Sequence, residues 1–256
     1  MIRVYMMSYM LHRIGKTSLR RQMLLTLIIF LSLCQFEMSS AQERIPREIH
    51  LGVVGGANIS QYTFHPTVSQ RYTGSYTMGV AARYIEEQYF GLQMELLLTE
   101  RGFADLWEPN TEDWVFERKL LYVELPVMAH VYFNMGKRNQ VAVDLGPKLA
   151  WFLSDRTNSN LPDNYGQTGL SVGNQYMHHE LPIEKKFDYG LQFGLGYEFR
   201  INELLSAQLT GRYYFGLGNL WPDSKADHFE QASNSSFQIS LGVWWHHVIK
   251  GKKTKK

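Results

Sequence analysis

Seven ionisable residues stand in segments where large apolar and small or polar residues alternate: Arg83, Glu95, Glu124, Asp144, Lys148, Glu198 and Arg212. Gln93, Tyr122, Gln208 and Tyr214 share their phase. Groups of mixed sign on one face of such segments fit a buried, mutually paired lattice, because a charge withdrawn from water is tolerated only beside a partner of opposite sign. Conduction through a polar channel is the other chemistry open to inward-facing charges. Water-filled pores of that kind take roughly 16 strands, more than this chain supplies, so a hydrogen-bonded plug is the expectation.

Catalytic groupings are not found. No histidine is followed two positions later by serine, the pairing that barrel-type lipid A deacylases carry on one strand face. Omptin-like proteases set acidic pairs and a histidine on ten strands, and this chain has fewer. No nucleophile and base pair, phosphate loop or nucleotide fingerprint is present. His178, His179 and Glu180, with His65 in another loop, are the candidates for a metal, but adjacent loop histidines do not converge on one ion by default. His246 and His247, near the end of the last strand, read as interfacial. The chain therefore reads as non-enzymatic, with no cofactor and no bound metal.

The elements that must position these residues are strands. From Phe187 to Phe199 every second residue is large and apolar, while Asp188, Gly190, Gln192, Gly194, Gly196 and Glu198 fill the places between. That dyad rhythm is expected at about 49 to 60, 72 to 85, 88 to 103, 114 to 133, 139 to 153, 185 to 200, 203 to 217 and 236 to 249. Long polar connections (61 to 71, 104 to 113, 154 to 184, 218 to 235) alternate with tight ones (86 to 87, 134 to 138, 201 to 202), as in outer-membrane barrels. The predicted fold is all-β: an eight-stranded antiparallel transmembrane β-barrel.

A soluble sandwich or lipocalin-like barrel would point its apolar face inward. Here the second face carries Gly52, Gly56, Gly79, Gly146 and Gly194 among the charges and cannot build a dry core, so the apolar face belongs to outer-membrane lipid. Tyr84, Tyr89 and Trp245 at one rim, and Trp114, Trp151 and Trp221 at the other, suit interfacial girdles. Pro126 and Pro147 each remove a ladder donor. At Pro126 a bulge is expected that turns Glu124 into the lumen beside Tyr122, and Pro147 invites the same reading.

The N-terminus points the same way. Arg13, Lys16, Arg20 and Arg21 precede an apolar run from Met23 to Leu33, and Ser39-Ser40-Ala41 offers a signal-peptidase site. A membrane anchor needs about 20 apolar residues, longer than this run, so cleavage after Ala41 is expected and residues 42 to 249 form one barrel domain. Cys34, the only cysteine, falls in the leader, which leaves no thiol chemistry. The leader holds five of the 26 basic and one of the 24 acidic residues, leaving 21 against 23. No basic field for nucleic acid results. Five of the 21 crowd into a lysine-rich tail, residues 250 to 256, expected to be periplasmic.

Several segments together resemble the PorT-like outer-membrane β-barrel family common in Bacteroidota. Gly52-Val53-Val54-Gly55-Gly56-Ala57-Asn58 is similar to that family's GxxxGxN opening strand. Leu121-Tyr122-Val123-Glu124-Leu125-Pro126-Val127 is similar to its YlEiPl strand, and Asp144-Leu145-Gly146-Pro147 to its aGp strand. Glu95 to Gly102, Asp188-Tyr189-Gly190 and Arg212 to Leu217 extend the likeness over nearly all of 49 to 249. The resemblance implies the fold, the location and a part in protein secretion (type IX) or envelope assembly, with the barrel as anchor and partner scaffold. The alternative is a surface-exposed barrel whose loops bind a ligand, a host or a neighbouring cell. In either case Trp107, Tyr165, Tyr176 and Trp221 are the candidate loop contacts, being of interface hot-spot type.

Overall fold

The computed structural model describes residues 47–65, 70–106, 114–161, 183–219 and 231–249. The expected leader, the lysine-rich tail, Trp107, Tyr165, Tyr176, Trp221 and the His178-His179-Glu180 cluster lie outside the described residues. Among the described residues there are nine strands: β1 (Arg47–His65), β2 (Gln70–Arg71), β3 (Thr73–Glu87), β4 (Phe90–Asp105), β5 (Phe116–Met135), β6 (Asn139–Ser159), β7 (Phe187–Arg200), β8 (Leu205–Gly216) and β9 (Gln231–Ile249). The pairings are antiparallel and close a ring, β1-β3-β4-β5-β6-β7-β8-β9 and back to β1. The strand beyond the expected eight is β2, two residues that pair with Asp105 and Ala104 of β4. Their register is offset by one residue from that of β3, with Tyr72 intervening, so β2 prolongs the β3 edge past a kink.

The dyad sets which way each side chain faces. Along β7 burial alternates strictly, with Leu191 51% exposed and Gln192 1%. Leu195 on the same strand, Leu209 on β8, and Ile239, Leu241 and Val243 on β9 also stand outward. The inner face holds the charged and amide side chains, and no unpaired sheet edge is left in the ring for lipid to solvate.

Six strands, β1, β3, β4, β5, β6 and β9, run past the expected ends. β5 has 20 residues and β6 has 21, whereas crossing a bilayer takes about 9–11. The outward apolar series ends at Leu121 and Leu153, yet the ladder continues to Phe116 opposite Ser159. Glu117, Lys119, Arg156 and Asn158 decorate this extension. Likewise β1 reaches His65 and β9 starts at Gln231, opposite it. The connections therefore shrink to 160–186 and 217–230, and 154–159 is strand rather than loop. Apolar periodicity stops at the lipid boundary, while hydrogen-bonded pairing stops only where a partner is missing.

The expected bulge at Pro126 is absent. Met94↔Val127 and Leu97↔Glu124 flank it in one unbroken register, as do Pro126↔Lys148 and Ala129↔Leu145 on the other side. The register shift in this hairpin lies instead between Leu121 and Tyr122. Plain alternation turns Glu124 inward. Pro126 shares that inward phase and Pro147 faces out, so each only forfeits a rung.

Curvature is set by glycines on the inner face. A Cβ at Gly79 would sit 2.0 Å from the Leu96 carbonyl oxygen, and one at Gly146 equally close to that of Val127. The adjoining strand curls into the space a side chain would occupy, which a tight ring requires. At the short-turn end, Gln88-Tyr89 joins β3 to β4 with Tyr89 at φ 86°. Its ring stacks on Phe133 at 5.7 Å, a contact that offsets part of the cost of a left-handed non-glycine residue.

Substitution on the two surfaces should separate lipid contact from solvent contact. Leu191→Arg should cost about 2–4 kcal/mol in denaturant unfolding within lipid bilayers, while Asn158→Arg, on the strand extension, should stay within about 0.5 kcal/mol; comparable losses would refute the assigned faces.

Candidate functional site

The interior is built in layers, and its middle is one continuous polar chain. His130 Nδ1 lies 2.6 Å from Asp144 Oδ1, and Asp144 Oδ2 lies 3.7 Å from Arg212 Nη2. Arg212 grips Glu95 bidentately at 2.6 and 2.7 Å. Gln93 donates to Glu95 at 2.5 Å and accepts from Arg83 Nε at 2.8 Å. Arg83 then donates to Glu198 (2.8 Å) and Gln208 (2.9 Å), under the Trp244 ring at 4.1 Å. Trp244 Nε1 donates to the same Gln208 oxygen at 2.7 Å. Side chains of β3 to β9 are thereby tied across the lumen.

Toward the long-connection end sits a second cluster of balanced charge. Arg101 donates to Glu124 through Nε (2.6 Å) and Nη2, and to Asp188 at 2.7 Å. Lys148 donates to the other Glu124 oxygen at 3.0 Å, and Tyr214 to Asp188 at 3.0 Å. Two cations face two carboxylates, with Tyr122 and Tyr214 rings 4.7 and 4.6 Å from the Arg101 guanidinium. Burial of the four charges is admissible because each has partners of opposite sign. Above them lies an apolar cluster of Tyr62, Phe103, Phe116, Leu120, Tyr122, Ala150 and Ile183, with Phe152 and Leu161 packed against it.

All seven ionisable residues singled out in the sequence face this interior and are at least 97% buried. Arg83, Glu198, Glu95, Arg212 and Asp144 fall in the middle layer, and Glu124 with Lys148 in the upper one. Sequence reasoning missed Arg101, although it shares the phase of Glu95, and gave no ionic role to Asp188, although it shares that of Glu198. It also passed over the apolar cluster, whose Phe116 and Leu120 share the phase of Tyr122. His246 is not interfacial: it is 3% exposed and faces inward, while His247 faces out. Trp151 and Trp245 are outward and exposed, as a girdle requires.

One grouping invites a catalytic reading and does not sustain it. Ser206 Oγ lies 2.8 Å from His246 Nε2 and donates to Glu198 at 2.6 Å. Its proton being committed to the carboxylate, Ser206 accepts from the imidazole rather than yielding a proton to it. A nucleophile needs the opposite polarity, with the acid behind the histidine. These groups do structural work.

A closed antiparallel ring with an apolar exterior and a salt-bridged interior defines a β-barrel of the outer-membrane class. Residues 39–221 match the model of the outer membrane protein beta-barrel domain, and the chain belongs to that family. It is therefore an outer-membrane protein in contact with lipid. Among solved structures it is similar to Ail, the attachment invasion locus protein of Yersinia pestis, at 13% identity over 79% of this chain and 100% of that one, TM-score 0.39. It is similar also to OprG of Pseudomonas aeruginosa, at 10% identity over 81% and 99%, TM-score 0.44. Outer membrane protein W of E. coli gives 14% identity over 78% and 98%, TM-score 0.38. No curated protein matches the chain.

Removing one partner of a buried pair strands the other. Arg212→Ala should lower unfolding stability by about 3–5 kcal/mol, against a change within about 0.5 kcal/mol for Arg156→Ala on the exposed extension. Replacing Arg212 and Glu95 together by Met and Leu should cost less than Arg212→Ala alone; thermal unfolding in micelles orders the three.

Proposed function

We propose that the chain is a non-enzymatic anchor and partner scaffold of the PorT-like kind, serving protein secretion (type IX) or envelope assembly. The observation that carries this reading is the filled lumen: the Arg83–Glu198, Arg212–Glu95 and Arg101–Asp188 contacts join strands that are not neighbours across the bore, and an apolar cluster roofs them. A bore so occupied offers no transport path, which leaves the two ends of the barrel as working surfaces. The run of motifs from Gly52 to Leu217 supports the PorT-like assignment within the broader family.

In this reading residues 1–41 are an export signal removed after Ala41. The turns at 88–89, 136–138 and 201–204 then face the periplasm with the lysine-rich tail, and the connections at 160–186 and 217–230 face outward. Trp107, Tyr165, Tyr176 and Trp221 supply contacts on the outer side. Five clustered lysines suit an acidic periplasmic partner.

The test is the secreted and surface proteome of a strain lacking the gene, set against one complemented with the full chain. Exported proteins should be depleted from the surface and retained as precursors in the periplasm. An unaltered proteome would overturn the secretion role and leave a barrel that acts by binding through its outer loops.

A further inference from the structure

We propose that His50 and His246 supply the two imidazole ligands of a binding site for a divalent transition-metal ion of the zinc type, with Glu48 as the outer acceptor behind His50, placed across the seam where the first strand meets the last. His50 in β1 and His246 in β9 are direct cross-strand partners on the inner face. Their ring centroids lie 3.8 Å apart, and the residues are 2% and 3% exposed. One ligand atom from each of Glu48, His50 and His246 lies within 4.8 Å of the others. A tetrahedral ion with ligands at roughly 2.0–2.1 Å needs about 3.3 Å between the two imidazole nitrogens, a span that ring centroids 3.8 Å apart allow.

The hydrogen bonds prepare the two imidazoles. His50 Nε2 lies 2.8 Å from Glu48 Oε2. His246 Nε2 lies 2.8 Å from Ser206 Oγ, whose own proton is given to Glu198. Both rings thus carry their proton on Nε2 and keep a lone pair on Nδ1. Both Nδ1 atoms are buried and have no hydrogen-bond partner. A histidine held by an outer acceptor on one nitrogen, with the other nitrogen bare, is the arrangement that metal-bound imidazoles adopt. Left without an ion, the two bare nitrogens cost desolvation with nothing in return.

Access agrees with this. A cavity of about 260 Å³ opens at the short-turn end beside Glu48, His50, Tyr132, Glu198 and Arg200. Glu48 and Glu198 bring two negative charges to the site, against Lys137, Arg138 and Arg200 on the cavity wall and Arg83, which is bonded to Glu198. A pair of imidazole nitrogens suits zinc and its neighbours rather than calcium or magnesium, which prefer oxygen alone. An ion here would tie β1 to β9 and stabilise the closed ring by linkage.

The experiment uses the mature chain, folded in micelles without an oligohistidine tag and with His178 and His179 both replaced by alanine. Cobalt(II), standing in for zinc, should bind at one equivalent with the visible bands of a tetrahedral site, displaceable by zinc. Copper(II) should show hyperfine coupling to two imidazole nitrogens, a readout that needs no further variant. His50→Ala and His246→Ala should each weaken cobalt binding by at least about tenfold, the loss seen on removing even an outer partner of a metal ligand, whereas His247→Ala on the outer face should change nothing. Absence of saturable cobalt binding, a copper signal without two imidazoles, or undiminished affinity in both inner-histidine variants would overturn the site.

Discussion

Hydrocarbon accepts no hydrogen bond, and the ring of strands answers to that before anything else. Each backbone amide in the belt must find its partner within the protein, so the sheet has to close, and closure dictates the character of both faces. The outer face becomes apolar because lipid is its solvent. The inner face becomes narrow, and glycines at Gly79 and Gly146 admit the curling backbone of the next strand. Charged side chains that enter this narrow space lose their water, so each must meet a counter-charge.

The interior then acts as a set of cross-braces. A sheet that is only a ladder resists sliding between neighbours but not flattening of its section. Contacts such as Arg83 with Glu198, between β3 and β7, and Arg212 with Glu95, between β8 and β4, join strands that are not neighbours in the ring. They hold the section open and filled at once. Replacing them all by packed apolar groups would serve stability as well, so their retention favours a fixed register of interior side chains over raw strength.

Facing is legible in the sequence because lipid enforces a strict period of two: Phe187 to Phe199 gives it outright, and Arg83, Glu124 and Glu198 obey the same phase. That phase also marks Arg101 and Asp188, so the upper cluster is recoverable by extending the alternation to the strand ends. What periodicity cannot give is pairing between distant residues. His50 and His246 lie at opposite ends of the sequence and meet only because the ring closes in one register, and nothing local distinguishes either from an interfacial histidine. Strand ends are hidden for a related reason, since Phe116 to Leu120 and Ser154 to Ser159 are polar on their outer side and remain paired all the same. At Pro126 a sound local rule predicts a bulge, but a lost donor in a closed ring costs one rung, and neighbours on both sides hold the register.

The seam between β1 and β9 runs for nineteen residue pairs, from Arg47 opposite Ile249 to His65 opposite Gln231. Its two halves leave the ribosome first and last. Until the final strand exists, the side of the first that faces it has no partner, and such an edge templates aggregation. Contacts so remote in sequence also form slowly. The ring therefore cannot close as it is made: its topology makes the joining of the first strand to the last wait until every strand between them has been synthesised.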